Sequence, residues 1–391
     1  MNVLHIGAGN IGRGFIGKSI FQSGFHLTFT DINQNIIDAL NHYKKYTVKL
    51  VGYNYEEIIS INNFHAIHLK HPNLLNIISD ANLITTAVGA SSLDNIAIIL
   101  AQGILLKIKL KSKIPLNIIA CENKTQASSH LKSIIFKKIS IKYHTYLNKY
   151  VGFVDCSIDT IIPSTFSFEK NILSLIAEDF QEWIVCKKQF KGIIPKIINM
   201  TVSDDLQSFI DRKILTLNTG HVITAYLGWM RKYKTIYESI QDNDIQKIVK
   251  GAMKESGLAL IKKYSFNRNS HFSYIDKILI RFQNPFLLDK IERIARNPLQ
   301  KLRQDERLIK PFLLAKQYNF LYDNLIKGIV SALYYRNKND VESIQISNLI
   351  RNYGIKKTLS QISNLKVDSP EMNLIAAEYV VMHDFFLKRV I

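Results

Sequence analysis

The segment that most restricts what this chain can become is Gly7-Ala8-Gly9-Asn10-Ile11-Gly12. A GxGxxG pattern by itself is a weak signal, but its setting here is specific. It follows a short apolar run at 2–6 (NVLHI) and opens a helix-length stretch closed by Gly24. A second apolar run at 26–30 (HLTFT) then ends at Asp31. Strand, turn, helix, turn, strand is the opening unit of a doubly wound sheet. The first glycine permits the tight turn, the second lets the backbone approach a pyrophosphate, and the third lets the helix pack on the sheet. Free N–H groups at the helix N-terminus then receive the anion. Asp31 stands about 20 residues past the loop, where a carboxylate accepts hydrogen bonds from ribose hydroxyls. It would repel a 2′-phosphate, and residues 32–35 (INQN) offer no arginine to neutralise one. The pattern therefore predicts NAD in preference to NADP, held by Gly7, Ala8, Gly9, Asn10, Ile11, Gly12, Arg13, Gly14 and Asp31. The competing reading, a glycine turn with no ligand, leaves the order of strand, loop, helix, strand and acid unexplained.

Further buried-strand candidates lie at 83–88 (LITTAV), 116–120 (LNIIA) and 151–155 (VGFVD), separated by polar or helical material. After Gly192 the period changes. Leu206, Phe209, Ile210, Ile214 and Leu217 recur every three or four positions, Ser203 is a candidate N-cap, and 245–264 and 320–335 read as helices too. With 391 residues, two domains are favoured over one. The expected fold is α/β, with a Rossmann-type doubly wound sheet over 1–190 and a mainly α-helical domain over 191–391.

The formal charge of +19 raises the question of a nucleic-acid partner. The lysines are dispersed, however, and the one dense run, Lys107 to Lys113, is too short to form a binding surface alone. RNP motifs, zinc-finger spacings and basic zippers are absent, so a solvated basic surface is expected and nucleic acid is not. Cys121, Cys156 and Cys186 are widely spaced and form no CxxC pair, as suits a reducing cytoplasm. No basic leader precedes the first strand and no run approaches the length of a membrane span, so neither export nor insertion is expected. His65, His68 and His71 repeat every third residue. On a strand the middle one would face away from the others, so no metal site is expected.

Oxidising an alcohol with NAD needs a group to take the hydroxyl proton and donors to steady the oxygen. The stretch from Arg212 to His221 (RKILTLNTGH) offers Lys213, Asn218 and His221. On an α-helix, Asn218 would lie about 140° and His221 about 80° around from Lys213, with an axial span of about 12 Å. Lys213 must then lean towards the others, or the helix must break near Gly220. Taken alone, these residues read more readily as a surface lysine, a helix-end asparagine and a core histidine.

The wider context selects between the readings. KxxxxNxxH together with GAGNIGRGFIG at 7–17 resembles the polyol-specific long-chain dehydrogenases. So do PLNIIACEN at 115–123, VGFVD at 151–155, FKG at 190–192, TLNTGHVITAYLG at 216–228 and VKGAMKESG at 249–257. The resemblance covers nearly the whole chain. It implies that Lys213 is the general base, that Asn218 and His221 orient the substrate oxygen, and that Asn123 completes the oxyanion site. It also implies interconversion of D-mannitol 1-phosphate and D-fructose 6-phosphate with NAD(H) and without a metal, a step of mannitol metabolism. One departure is visible: where Asp-Arg-Ile-x-Pro is expected, the chain reads Asp159-Thr160-Ile161-Ile162-Pro163.

A sugar phosphate needs fixed cations. Arg296, Lys301, Arg303 and Arg307 form a dense candidate cluster, which reads otherwise as an exposed basic loop. The rival functions are a hexuronate reductase of the same superfamily, which would bind a carboxylate, and a Rossmann protein that senses NAD(H) without chemistry. A monomer or small homo-oligomer acting on a small sugar phosphate is expected, with no nucleic-acid or membrane partner.

Overall fold

A computed structural model describes residues 1–163, 172–287 and 289–387. The chain separates into two compact units, Met1–Phe209 and Ile210–Ile391.

The first unit contains β1 (Asn2–Ile6), β2 (His26–Asp31), β3 (Lys45–Val51), β4 (Glu56–Asn62), β5 (Phe64–His68), β6 (Leu83–Thr86), β7 (Leu116–Ala120), β8 (Val151–Phe153), β9 (Cys156–Asp159), β10 (Leu175–Glu178), β11 (Glu182–Cys186) and β12 (Met200–Ser203). Six of them form a wholly parallel sheet in the order β5-β2-β1-β6-β7-β8. In chain order that is the 3-2-1-4-5-6 arrangement of dinucleotide-binding sheets. Alternate residues of β1 feed the two faces: Val3 packs with Ile16, Leu27 and Phe29, whereas Leu4 and Ile6 pack with Ile84, Leu100 and Leu131. Burial on both faces explains why these strands read as unbroken apolar runs. Two three-stranded sheets, β10-β3-β4 and β12-β11-β9, complete the unit.

Because β12 pairs in parallel with β11, residues beyond 190 stay with the first unit, and the division falls at 209 instead of near 190. The helix Leu206–Arg212 is not capped by Ser203. Ser203 Oγ accepts the Asp205 amide at 3.0 Å in a local turn, and Asp205 Oδ1 caps the helix by accepting the Ser208 amide at 3.2 Å. The basic run is not uniformly solvated either: Lys107 is 1% exposed and donates to the Ser79 carbonyl at 2.7 Å. That lysine lies on the helix Leu93–Lys109, part of a stretch from Ala90 to Lys109 long and apolar enough by length and composition to cross a membrane. Its Leu93, Ile96, Leu100 and Ile104 are core residues of the first unit.

The second unit is helical. At its centre runs Thr219–Met230, apolar on nearly every side, as a helix enclosed by others must be. Helices Ile236–Gln241, Asn243–Tyr264, Ile291–Ala295 and Asp323–Tyr334 pack around it. Glycines permit the close approaches: a Cβ on Gly220 would lie 2.6 Å from Met253 Sδ, and one on Gly228 2.0 Å from Ser239 Oγ.

Candidate functional site

In the first unit the glycine loop is built as its sequence implies. Gly7 has φ +103°, and a Cβ on it would lie 2.4 Å from the Ala87 carbonyl oxygen; one on Gly12 would lie 1.9 Å from the Gly7 oxygen. Only hydrogen fits at either position. The chain then enters a π-helical turn, Gly12–Gly17, before the α-helix Lys18–Gln22. Asp31 Oδ2 accepts the Ala8 amide at 2.6 Å, and its Oδ1 accepts the Asn33 amide at 2.8 Å. Gly7, Gly9, Asp31, Ile32, Leu69 and Val88 are among the walls of a cleft of about 380 Å³. A carboxylate at its rim, apolar walls and a glycine loop suit the adenosine end of a dinucleotide.

Asn10 and Ile11 are partly exposed on the loop, but Arg13 and Gly14 turn inward. Arg13 is 3% exposed and donates to the carbonyls of Ala8 and Leu173. A Cβ on Gly14 would meet Ile162 Cδ1 at 2.8 Å. Beneath the loop lies His5, fully buried. Its Nε2 is 3.0 Å from the Gly7 carbonyl and its Nδ1 is 2.7 Å from Thr85 Oγ1. Burial pushes its pKa down to about 4, so it is neutral, and Nε2 is the donor because the carbonyl can only accept.

At the end of β7, Glu122 is buried. Its carboxylate accepts from Thr86 Oγ1 and from the amides of Val88 and Gly89, each at 2.9 Å, and so shapes the loop after β6. Asn123 follows it and is exposed. The hydroxyl of Thr160, at the position that departs from the family pattern, is buried without a partner among the described residues. Nearby, the fully buried Glu178 accepts the Ile161 amide. His68 bonds the Ile32 carbonyl at 3.0 Å. Among the described residues no three His, Cys, Asp or Glu side chains are grouped to hold a metal.

In the second unit, Lys213–Asn218 is itself a π-helical turn. Backbone bonds there close over five residues instead of four. Lys213 and Asn218, five apart, therefore come round to one side, although an α-helix would splay them. The wider turn frees carbonyls, and hydroxyls satisfy them: Ser256 Oγ donates to the Leu215 oxygen at 2.6 Å, and Thr219 Oγ1 lies 3.1 Å from that of Ile214. The Thr219 hydroxyl also reaches the Arg307 carbonyl at 2.7 Å. Lys213, Asn218 and His221 are all partly exposed. The helix before the turn is anchored by Asp211, whose 2%-exposed carboxylate accepts from Lys263 Nζ (3.0 Å), Tyr264 OH (2.6 Å) and Lys310 Nζ (3.0 Å).

His221 has a partner that the sequence reading did not identify. Its Nε2 lies 3.3 Å from Asp289 Oδ2, and its ring stacks on Phe282 with centroids 5.0 Å apart and 24° between planes. Arg293 pairs with Asp289 Oδ1. Burial pushes the Asp289 carboxyl up, but the hydrogen bond and charge of His221 and the charge of Arg293 outweigh it and hold the pKa at about 2. The only sequence clue was the four-residue spacing of Asp289 and Arg293.

The proposed phosphate cluster divides. Lys301 is 8% exposed and donates to the Arg296 carbonyl. Burial first, and the nearby Arg307 second, push its pKa down to about 8. Arg296, Lys301 and Arg307 thus share one electrostatic neighbourhood. Arg303 lines a separate hollow with Gln304, Asp305 and Lys310.

Two family models match the chain, the mannitol dehydrogenase Rossmann domain over residues 1–199 and the mannitol dehydrogenase C-terminal domain over residues 205–376. A mannitol-1-phosphate 5-dehydrogenase of Buchnera aphidicola subsp. Schizaphis graminum is 59% identical over 387 residues, covering 98% of this chain and 100% of the relative. One from Buchnera aphidicola subsp. Acyrthosiphon pisum is 55% identical, covering 97% and 98%. Among solved structures, a substrate-free D-sorbitol dehydrogenase has the same fold, with TM-score 0.83 at 15% identity, covering 100% of this chain and 93% of that one. So does a Pseudomonas fluorescens mannitol 2-dehydrogenase, with TM-score 0.73 at 13% identity, covering 100% and 94%. The strand order, the glycine loop, the KxxxxNxxH turn and these matches lead to one conclusion: the chain belongs to the mannitol dehydrogenase family.

Proposed function

We propose that this protein interconverts D-mannitol 1-phosphate and D-fructose 6-phosphate with NAD(H), with Lys213 as general base. The supporting observation is the π turn at 213–218, which gives Lys213 and Asn218 a common side, with His221 in the helix just beyond. The two relatives that match over nearly their whole length carry the name of this activity. The assignment gives the dinucleotide to the first unit, Met1–Phe209, and the polyol phosphate to the second, Ile210–Ile391.

In the oxidation direction, NAD supplies the acceptor for the hydride. Lys213 Nζ takes the hydroxyl proton as the carbonyl forms, and returns it in the reverse direction. Asn218 and His221 orient the reacting oxygen, and Asn123 is assigned as a further donor to its developing charge. Arg296, Lys301 and Arg307 are assigned to the phosphate, and Arg303, in its separate hollow, is the weakest member of that set.

The test is NADH oxidation by the purified protein with fructose 6-phosphate, fructose or fructuronate, for the wild type and Lys213→Ala. Turnover is expected with fructose 6-phosphate alone, and loss of at least two orders of magnitude in the variant with NADH binding retained. Near-normal turnover would remove Lys213 from the base role. A preference for fructuronate would move the enzyme to hexuronate reduction.

A further inference from the structure

His221 lies in the first turn of the helix Thr219–Met230, and what fixes its ring comes from elsewhere in the chain. Asp289 sits in a short cross-link: its carbonyl accepts the Ile236 amide at 2.9 Å, the Ile291 amide donates to the Lys234 carbonyl at 2.9 Å, and Thr235 and Lys290 form an antiparallel bridge. The Asp289 backbone is thereby held before its side chain makes any contact. Its two oxygens are then used separately, Oδ2 by His221 Nε2 and Oδ1 by Arg293 Nη2. A carboxylate engaged on both sides resists rotation about its own axis. The imidazole, stacked on Phe282, resists flipping.

A carboxylate paired in this way only accepts, so the proton of a neutral His221 belongs on Nε2, which leaves Nδ1 as the acceptor. We infer that Asp289 is a positioning residue that fixes the Nε2–H form of His221 and thereby presents Nδ1 to accept a hydrogen bond from a substrate hydroxyl other than the reacting one. Asp289 touches neither substrate nor cofactor in this arrangement and acts only through His221. The inference rests on the role proposed above for His221 and narrows it: the one proton of the reacting hydroxyl goes to Lys213, so Nδ1 orients the reacting carbon by holding a neighbouring hydroxyl.

The ring nitrogens can be observed directly. In full-length protein labelled with ¹⁵N-histidine at pH 8, the His221 signals are those lost in His221→Asn. The wild type is expected to show the Nε2–H tautomer. Asp289→Asn is expected to give a mixture of tautomers and to lower kcat for fructose 6-phosphate by on the order of 100-fold, with KM for NADH unchanged. A merely structural carboxylate would shift the urea midpoint and leave the tautomer alone. An Nδ1–H ring in the wild type overturns the inference, as does a change in tautomer without a change in kcat, or the reverse. If Asp289→Asn does not fold, the wild-type spectrum still decides which nitrogen carries the proton. If the wild type shows the Nε2–H ring but does not reduce fructose 6-phosphate, the proposed reaction fails while the Asp289–His221 pairing stands.

Discussion

The Asp31 carboxylate and the Ala8 amide are 2.6 Å apart, so the acid at the end of β2 and the glycine loop after β1 form one hydrogen-bonded unit. Asp31→Ala removes both the charge that would oppose a 2′-phosphate and a charged bond to the loop, the latter worth about 1.5–3 kcal/mol. Initial-rate measurements should show KM for NADH rising by about tenfold or more, and the preference for NADPH over NADH rising with it. An unchanged KM for NADH would separate Asp31 from the nucleotide.

Lys301 is a cation whose charge is marginal near neutral pH, with its pKa pushed down to about 8 by burial and by Arg307. Below that pH it is charged and suited to a phosphate; above it, neutral. The pH profile of kcat/KM for fructose 6-phosphate should therefore fall as pH rises through 8, and Lys301→Met should lower the profile and remove that limb. KM for NADH should not follow it. Profiles identical in the two proteins would place the phosphate elsewhere.

Two buried histidines, His5 in the first unit and His271 in the second, have pKa values pushed down to about 4, in each case chiefly by burial. The unfolded chain protonates them near pH 6.5, so between about 6.5 and 4 it binds more protons than the folded state. Stability should fall as pH drops through that window, by up to on the order of 3 kcal/mol per histidine. Urea titrations at pH 7 and pH 4.5 measure the loss. His271→Phe, which keeps a ring stacked on Phe266, should flatten the pH dependence of the second unit.

Ser256 satisfies a carbonyl of the Lys213–Asn218 turn from a neighbouring helix. Ser256→Ala leaves a buried acceptor without its donor, at a cost of about 1–3 kcal/mol. The urea midpoint should fall accordingly. Turnover should fall too, because the lost bond supports the spacing of Lys213 and Asn218; a lower midpoint with unchanged kcat would show that the turn holds without it.

The first unit was legible because its determinants are local. Glycines at fixed offsets, apolar runs of strand length and an acid at a strand end lie within the first 31 residues, and β6, β7 and β8 begin where the apolar runs begin. In the second unit the chemistry-bearing residues were identifiable but their geometry was not. KILTLN contains no proline or glycine to announce a widened turn, and Ser256, which stabilises it, acts from 41 residues away through a contact no local pattern encodes. Asp211 and Asp289 went unnoticed for the same reason, since their partners Lys310 and His221 lie far away along the chain. Charge counting failed similarly at Lys107, a cation that the fold turns inward onto a carbonyl.

The widened turn also bears on how this protein can vary over evolutionary time. Any side chain between Lys213 and Asn218 can be exchanged if its size is tolerated, but the number of residues between them is tied to the width of the turn. Ordinary winding with the same number of residues would set amine and amide about 140° apart, whereas ordinary winding with one residue fewer would set them about 40° apart, on one face again. A one-residue deletion in this stretch should therefore occur only together with a return to α-helical winding.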